Sequence, residues 1–381
     1  MRLETFEMER MQSLHEHGVE INLSESGVEP LSLRELLALS SDEGRALQGL
    51  LDQALAYTQT NGTEPLRAVI AAMYPGASAS HVQVTTGGAE ANLVSLLHLV
   101  QPGDEVVLML PNYMQAWGLV RGLGAVVRPW WLREWPDGTG WEVDLDGLDA
   151  LVGPKTRLVA VCTPNNPTGL RLTTAELAGV CDIAAKHGTW VLSDEVYRGA
   201  ELDGHESPSA WGRYDRVLVT AGLSKAYGLP GLRIGWVVGP PDTIAALWAV
   251  HDYTTIAPAA LSDRLARIAL SDEVRPKLLA RTRTIIREHY AIVRQWVAAR
   301  SPALTHAAPH AGAIALVRYA HAIGSHELAE LARTQRSTLV VPGSQFLLDR
   351  HLRIGFGGHP AQIRDGLDRL GQVLDTVKLA R

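Results

Sequence analysis

Strand-like apolar segments alternate with helical patterns through the middle of the chain, and this alternation constrains the fold more than any other feature. Between about residues 49 and 275, apolar runs such as 105–109 and 157–161 are followed by helical stretches such as 175–184. Strands that alternate with helices in this way are typical of a mainly parallel sheet with helices on both faces. We therefore predict an α/β fold in which residues 49–275 form a large domain.

The two ends of the chain are predicted to build a second, smaller α+β domain. Residues 1–48 are expected to form an N-terminal arm and part of this domain. Residues 276–381 are expected to form a helix at about 275–299 that links the domains, and then the rest of the small domain. An apolar strand at 313–317, a turn at 340–343 and a closing helix are expected there. A chain of 381 residues is long enough for one large and one smaller domain.

Composition argues against several classes of protein. The net charge is −6, and the first 48 residues are not basic, so neither a nucleic-acid-binding face nor a DNA-binding module of a regulator is indicated. Two cysteines, Cys162 and Cys181, do not make a disulfide framework and favour a reducing compartment. The sequence has a polar start and no long apolar run. We expect a cytoplasmic protein without a nucleic-acid or membrane partner.

One lysine stands out because its neighbours are small and apolar. Lys225 lies in the segment Gly-Leu-Ser-Lys-Ala-Tyr-Gly, which begins at Gly222. Desolvation lowers the pKa of a lysine, so its free amine becomes a nucleophile able to form a Schiff base. An isolated loop lysine is normally a surface residue, but further segments supply partners for this chemistry.

An acidic residue and a tyrosine follow one of the predicted strands. Asp194 comes directly after the apolar run 189–192, and the carboxyl ends of parallel strands face the ligand crevice of an α/β sheet. A carboxylate there can hold the protonated ring nitrogen of pyridoxal 5′-phosphate (PLP). Tyr197 can donate its hydroxyl to the phenolate oxygen of the same ring. Without Lys225, an aspartate in this position would more often cap a helix.

Three more segments offer groups that suit PLP. The rigid turn Thr-Pro-Asn-Asn-Pro-Thr-Gly at 163–169 presents the Asn166 amide to the phenolate oxygen. A strand, a glycine turn and a helix start succeed each other around Gly88, and the backbone N–H groups of Ala89 and Glu90 suit a phosphate. Tyr113, after the strand at 105–109, can stack on the ring, although a lone aromatic residue is more often part of a core.

Together these strings resemble the aspartate aminotransferase family of PLP enzymes (fold type I, class I/II) from about residue 57 to residue 356. The motifs that carry the resemblance are the string at 163–169, Asp-Glu-Val-Tyr from Asp194, and Ser-Lys with Gly-Leu-Arg-Ile-Gly from Ser224 to residue 235. The resemblance implies that Lys225 forms the Schiff base and moves protons. It also implies that Arg233 and Ser224 bind the phosphate together with the backbone N–H groups at the N-terminus of the helix.

The resemblance assigns positions outside these motifs as well. Tyr57 matches a tyrosine that reaches the phosphate of the neighbouring subunit, which implies a homodimer with shared active sites. Arg353, in Leu-Arg-Ile-Gly-Phe, matches the arginine that binds the substrate α-carboxylate, for which its planar fork is suited. Gly27 matches a small residue beside the substrate, which Asn166 also contacts.

One position departs from the pattern of the family. Three residues before the lysine the family often has a serine that binds the phosphate, and this chain has Gly222 there. Either the phosphate is held less tightly, or Thr220 or Ser224 takes the place of the serine. Elsewhere, His306 and His310 are separated by a helix-breaking proline, so no metal site is expected.

The implied reaction is ping-pong transfer of the amino group of an L-amino acid to a 2-oxo acid, with Lys225 as general base and acid. The family also includes β-lyases, decarboxylases, cyclases and oxidases, which stay open as alternatives. Segments 22–28 and 128–132 are similar to capreomycidine synthases, PLP cyclases that act on an arginine derivative. One hypothesis is that Glu25 faces a cationic substrate side chain; the alternative is that Glu25 is simply solvated.

Overall fold

A computed structural model of the protein describes residues 2–379. The strands in this part of the chain are β1 (Ile21–Asn22), β2 (Val82–Thr85), β3 (Glu105–Leu110), β4 (Val126–Trp131), β5 (Arg133–Glu134), β6 (Trp141–Glu142), β7 (Thr156–Cys162), β8 (Trp190–Asp194), β9 (Val217–Gly222), β10 (Gly235–Val238), β11 (Leu304–His306), β12 (Ile314–Tyr319), β13 (Thr338–Leu339), β14 (Val341–Pro342) and β15 (His351–Gly355).

The α-helices lie between these strands along most of the chain. They are α1 (Glu7–His15), α2 (Leu33–Ala38), α3 (Glu43–Leu51), α4 (Glu64–Ala71), α5 (Gly88–Leu99), α6 (Gln115–Gly122), α7 (Leu145–Leu151), α8 (Thr174–Lys186), α9 (Pro241–His251), α10 (Ala260–Ala269), α11 (Arg275–Ala298), α12 (Ser325–Arg336) and α13 (Pro360–Leu374).

A seven-stranded sheet with the order β2-β10-β9-β8-β7-β3-β4 forms the centre of the molecule. Only β10 runs antiparallel to its neighbours, β2 and β9, and the other pairings are parallel. The predicted α/β fold with a mainly parallel sheet is therefore confirmed. The register places Cys162, Asp194 and Thr220 side by side at the carboxyl ends of β7, β8 and β9.

The apolar strands are buried on both faces, as is usual for a parallel sheet covered by helices. Alternate residues of β3 illustrate this, because side chains along a strand point to opposite faces. Val107 and Met109 belong to one hydrophobic cluster, and Val106 and Leu108 belong to another. The helix α8 begins with a capping box in which Thr173 and Glu176 exchange hydrogen bonds, which explains its sharp start.

Both ends of the chain contribute to a smaller α+β unit. Its sheet has the antiparallel order β11-β12-β15-β14, and β1 pairs with β13 beside it. The backbone N–H of Gly355 donates to the carbonyl of Leu23 at 2.7 Å, which joins the N-terminal segment to β15. The expectation of a turn at 340–343 was wrong for Val341–Pro342, which form the edge strand β14 and pair with β15.

The long linking helix is close to its prediction, since α11 spans Arg275–Ala298. The domain limits at 48/49 and 275/276 stay a prediction. The predicted ranges also include Met1, Ala380 and Arg381, which lie outside the described residues. Between residues 2 and 379, no helix combines the length and apolar character needed to cross a bilayer.

Candidate active site

Most of the predicted site residues surround one cavity of about 310 Å³. The cavity lies beyond the carboxyl ends of β7, β8 and β9, where open α/β sheets bind ligands. The predicted residues that line it are Gly88, Ala89, Tyr113, Asn166, Asp194, Tyr197, Ser224, Lys225, Arg233 and Arg353. The fold thus brings together residues that lie up to 265 positions apart along the chain, from Gly88 to Arg353.

Lys225 follows β9 and lies against the cavity. Burial lowers the pKa of this lysine, and the negative charges of Glu25 and Glu9 oppose that effect. Gly27 does not line the cavity but lies behind the lysine, since a side-chain carbon there would sit 3.8 Å from Lys225 Cδ and 3.4 Å from the Ser224 carbonyl. The chain therefore presents a partly desolvated amine to the cavity.

Asp194 is held by two hydrogen bonds at the end of β8. Its Oδ1 accepts from the Val196 backbone N–H at 3.1 Å, and its Oδ2 accepts from Asn92 Nδ2 at 2.9 Å. Burial raises the pKa of Asp194, and these two donors oppose the rise. Sequence reasoning missed Asn92, although its position one turn after Gly88 in α5 places it on the same helix face.

Glycines allow three backbone segments to meet at the start of α5. Gly87 has φ +84°, and a side-chain carbon there would collide with the Arg233 guanidinium. A side-chain carbon at Gly235 would collide with the backbone of Gly87 and Gly88. The result is an open turn with free helix N–H groups and a guanidinium beside it, an arrangement that suits a phosphate.

The side chain of Glu90 points away from the cavity, so only its backbone belongs to the predicted phosphate site. Its carboxylate accepts hydrogen bonds from the Thr86 N–H at 2.5 Å, from the Thr255 N–H at 3.2 Å and from the Thr254 hydroxyl. Burial acts to raise the pKa of Glu90, but hydrogen bonds from these groups and from His251 outweigh it and lower the pKa to about 2. Glu90 thereby ties the 251–255 loop to the turn.

The departure at Gly222 is also explained by packing. A side-chain carbon there would lie 3.0 Å from the Ile234 carbonyl, so the strand pair β9–β10 leaves little room. Of the two expected replacements for the serine, Thr220 is occupied elsewhere, since its hydroxyl donates to Asn92 Oδ1 at 2.7 Å. Ser224 does line the cavity, and its Oγ accepts from Arg233 Nη1 at 3.4 Å.

A buried arginine, Arg353, also lines the cavity. Arg353 donates from Nη1 to Asn166 Oδ1 at 2.9 Å and from Nη2 to the Ser24 carbonyl at 2.5 Å. Because the Asn166 oxygen is engaged, its NH2 group is the donor that it can offer to the cavity. Tyr197 is buried nearby, and burial raises the pKa of its hydroxyl.

The helix α1 covers the cavity, which sequence reasoning did not foresee. Glu9 and Gln12 of this helix and Glu16 at its C-cap line the cavity at the spacing of one helix face. Glu9 accepts from the Tyr113 hydroxyl at 2.8 Å, and Gln12 donates to the Ser24 carbonyl at 3.0 Å. The spacing of polar residues along 9–16 was the available signal, but it did not show what the helix covers.

Residues 39–370 match the family described as aminotransferase class I and II. The chain belongs to this family. Among relatives of this chain, a capreomycidine synthase of Streptomyces vinaceus is 34% identical over 360 residues, which cover 93% of this chain and 90% of that protein.

Two solved structures extend the comparison. A PLP-dependent aminotransferase from Streptococcus suis 89-1591 has a TM-score of 0.92 and 30% identity, with 100% of both chains covered. The PLP-dependent cyclase OrfR has a TM-score of 0.86 and 29% identity, with 98% of each chain covered. The resemblance seen in the sequence is thus confirmed, and this class I/II family member is a PLP-dependent enzyme.

The residues of the cavity fit PLP by their own geometry. The glycine turn leaves the space that side chains would fill and faces the Arg233 guanidinium, as a phosphate requires. An amine and a carboxylate, those of Lys225 and Asp194, line the same cavity. The guanidinium therefore suits an anionic phosphate, the amine suits a carbonyl carbon, and the carboxylate suits a protonated ring nitrogen.

Proposed function

We propose that this enzyme transfers the amino group of an L-amino acid to a 2-oxo acid by a ping-pong mechanism. The observation that carries the proposal is that Lys225, Asp194 and Arg353 face one cavity. An amine for the cofactor, a carboxylate for its ring nitrogen and a guanidinium for a substrate carboxylate are the groups that this reaction needs. When bound, PLP supplies an electron sink for the α-carbon of the substrate.

Lys225 would take the proton from the substrate α-carbon and would donate a proton to the carbonyl carbon of PLP, which leaves the amino group on the cofactor. Its lowered pKa supports this role, because a general base must be unprotonated at the working pH. Asp194 would face the ring nitrogen, and the Asn166 NH2 and Tyr197 hydroxyl would donate to the phenolate oxygen. Tyr113 would stack on the ring.

The backbone N–H groups of Ala89 and Glu90, in the turn that contains Gly88 at the start of α5, would hold the phosphate. Ser224 and Arg233 would complete this part of the site. The Arg233 guanidinium beside Gly87 supplies positive charge, which the helix dipole reinforces.

Arg353 orients the substrate by its α-carboxylate. Its guanidinium is buried, and within residues 2–379 its Nε makes no hydrogen bond. An unpaired buried donor is costly, and a bound carboxylate satisfies it. Gly27 keeps the neighbouring segment close to the lysine without a side chain in the way.

The substrate side chain is proposed to be cationic. Three carboxylates, those of Glu9, Glu16 and Glu25, line the part of the cavity covered by α1. The cationic residues of the cavity already have roles toward the cofactor or the α-carboxylate. A guanidinium or ammonium group is therefore the side-chain chemistry that this acidic wall complements.

A second candidate is cyclisation of an amino acid that has such a cationic side chain and a leaving group on its β-carbon, so that the leaving group departs and a side-chain nitrogen bonds to that carbon. The observation that favours it is the similarity to the Streptomyces vinaceus capreomycidine synthase over 93% of the chain, together with the likeness to the cyclase OrfR. Removal of the α-proton by Lys225 is common to both reactions. They differ in whether a 2-oxo acid is required to regenerate the enzyme.

A homodimer with shared active sites is also part of the proposal. Tyr57 is 84% exposed and Tyr253 is 93% exposed, and neither lines the cavity of its own chain. The Thr58 hydroxyl bonds to the Pro258 carbonyl at 2.9 Å, so their segments form one face. Exposed apolar surface of this kind marks interaction sites.

One experiment tests the reaction and the side-chain specificity together. The holoenzyme is mixed with each of the twenty amino acids and with an arginine derivative that carries a leaving group on its β-carbon, with and without 2-oxoglutarate, and the visible absorbance of the cofactor and the products are followed. We expect arginine or lysine to react fastest and to require the 2-oxo acid for repeated turnover. A cyclic product formed without any 2-oxo acid would establish the second candidate instead.

A matched pair of variants tests the acidic wall. Glu25→Gln should raise KM for the cationic amino acid about tenfold, the effect of about 1.4 kcal/mol, because it removes one of the opposing charges. Glu29→Gln removes a nearby carboxylate that does not line the cavity and should leave KM unchanged. Equal KM values in wild type and Glu25→Gln would contradict the cationic side chain.

A further inference from the structure

Three polar side chains form a hydrogen-bonded chain that runs from Thr220 through Asn92 to Asp194, and the last two residues line the cavity. The Thr220 hydroxyl donates to Asn92 Oδ1 at 2.7 Å, and Asn92 Nδ2 donates to Asp194 Oδ2 at 2.9 Å. Thr220 is only 1% exposed and Asn92 is 9% exposed. The chain joins β9, α5 and β8, so its geometry is set by the rigid centre of the fold.

The orientation of the Asn92 amide is determined from two sides. Thr220 places its hydroxyl against the amide oxygen. Gln115 donates its own NH2 to the Ala89 carbonyl at 2.8 Å, which leaves its Oε1 directed at Asn92 Nδ2 at 3.4 Å. A flipped amide would place oxygen against both Gln115 Oε1 and the Asp194 carboxylate, with no proton between them. The NH2 end therefore faces Asp194.

This donor matters because Asp194 is half-buried at the cavity, where its surroundings raise the pKa of the carboxyl group. Burial disfavours an ionised carboxylate, and each hydrogen bond donated to it favours that form. The Val196 backbone N–H bonds Oδ1, so Asn92 is the side chain that satisfies Oδ2. We propose that Asn92, fixed by Thr220, is a positioning residue that keeps Asp194 ionised and aimed at the PLP ring nitrogen. The inference rests on the proposed role of Asp194.

The consequence concerns where the proton between Asp194 and the ring nitrogen resides. With the Asn92 donor in place, the proton stays on the nitrogen and the carboxylate is charged. Without it, the half-buried carboxylate becomes the stronger base and takes the proton, which leaves a neutral ring. A neutral ring is a weaker electron sink, so proton removal from the substrate by Lys225 becomes slower.

The test observes the ring nitrogen directly. Wild type, Asn92→Leu, Thr220→Val and Ser95→Ala are loaded with PLP labelled with nitrogen-15 in the ring, and the nitrogen NMR shift is measured. Ser95→Ala is the matched control, because Ser95 is buried in the same helix and its hydroxyl bonds only the Ala91 carbonyl. We expect a protonated nitrogen in wild type and Ser95→Ala, and a shift toward neutral pyridine in Asn92→Leu and, less far, in Thr220→Val.

The kinetic expectation follows from the same change. With the amino acid found to react fastest, kcat should fall roughly 10- to 100-fold in Asn92→Leu, the range for losing a hydrogen bond to a charged group, and KM should change little. Circular dichroism confirms folding of each variant. If Asn92→Leu does not fold, Thr220→Val and Asn92→Ser decide the question.

Asp194→Asn separates failure of this inference from failure of the proposed function. A nitrogen that is neutral in Asp194→Asn but fully protonated in the folded Asn92 and Thr220 variants would overturn the role of Asn92 alone. A nitrogen that stays protonated in Asp194→Asn would overturn the proposed role of Asp194. A neutral nitrogen in both the Asp194 and the Asn92 variants supports the inference.

Discussion

The pKa of Lys225 depends on groups that are distant from it in the sequence. Burial by the surrounding fold lowers the pKa of its amine, while Glu9 and Glu25 from the N-terminal segment raise it and Arg353 lowers it. The net effect is a lower pKa, so more of the lysine is neutral at a given pH than for a lysine in water. This balance of charges and burial can be measured through the reaction of Lys225 with PLP.

The pH dependence of PLP capture reports that balance. We expect the apoprotein to react with PLP at a rate that rises with pH through a midpoint below 10.5, the ordinary lysine pKa, because only the neutral amine attacks. Stopped-flow absorbance over a pH series measures it. Glu25→Gln should lower the midpoint further, and Lys225→Ala should bind PLP without covalent capture or turnover. A midpoint at or above 10.5 would contradict the effect of burial.

At the scale of elements, the phosphate turn depends on how closely β9, β10 and the start of α5 approach one another. Gly235 and Gly87 allow this approach because a side-chain carbon at either would collide with the opposite segment, and one at Gly222 would lie only 3.0 Å from the Ile234 carbonyl. The glycine at 222, where related enzymes often have serine, is therefore consistent with the packing of β9 against β10. A side chain at this contact would first displace the backbone of the proposed phosphate site.

Gly235→Ala tests the contact between β10 and the turn. The new methyl group would collide with the backbone of Gly87 and Gly88, so we expect the turn to move and PLP to dissociate roughly tenfold more readily or more, the effect of about 1–3 kcal/mol of overpacking. Titration of the apoprotein with PLP, followed by fluorescence, gives the dissociation constant. Gly231→Ala, which meets no atom within 4 Å, is the control. Unchanged PLP affinity in Gly235→Ala would show that the turn tolerates displacement.

At the scale of the whole molecule, one exposed face lies next to the phosphate turn. The Thr86 hydroxyl bonds the Thr255 hydroxyl at 3.0 Å, and the exposed Tyr253 belongs to the same loop. Tyr57 is exposed and does not line the cavity of its own chain, and the next residue, Thr58, bonds the Pro258 carbonyl in the segment that follows this loop. This placement supports the proposed dimer, in which Tyr57 serves the site of the other copy.

Mixed dimers provide the decisive measurement. Tyr57→Ala and Lys225→Ala homodimers are each expected to be impaired, the first in PLP retention and the second in turnover. A heterodimer of the two has one site with an intact Lys225 and an intact Tyr57, so mixing the subunits should restore activity above the sum of the two preparations. Native mass spectrometry confirms that heterodimers have formed. Heterodimers without any recovery would show that Tyr57 acts within its own chain.

The amino-acid sequence by itself determined the fold class, the family, the cofactor and the segments that meet at the cavity. Hydrophobic period and turn residues are local properties, and short strings such as Thr-Pro-Asn-Asn-Pro-Thr-Gly carry the cofactor chemistry, so both are legible along the chain. The predicted long helix and the strands before Asn166 and Asp194 follow from the same local signals.

Only the tertiary structure decided which side chains support those residues. Asn92 meets Asp194 across 102 positions and Thr220 across 128, and α1 reaches Arg353 and Tyr113 from the far end of the chain. The outward turn of the Glu90 carboxylate and the exposure of Tyr57 depend in the same way on how helices pack and side chains point. Such contacts arise from packing between distant segments, and local sequence patterns do not encode them.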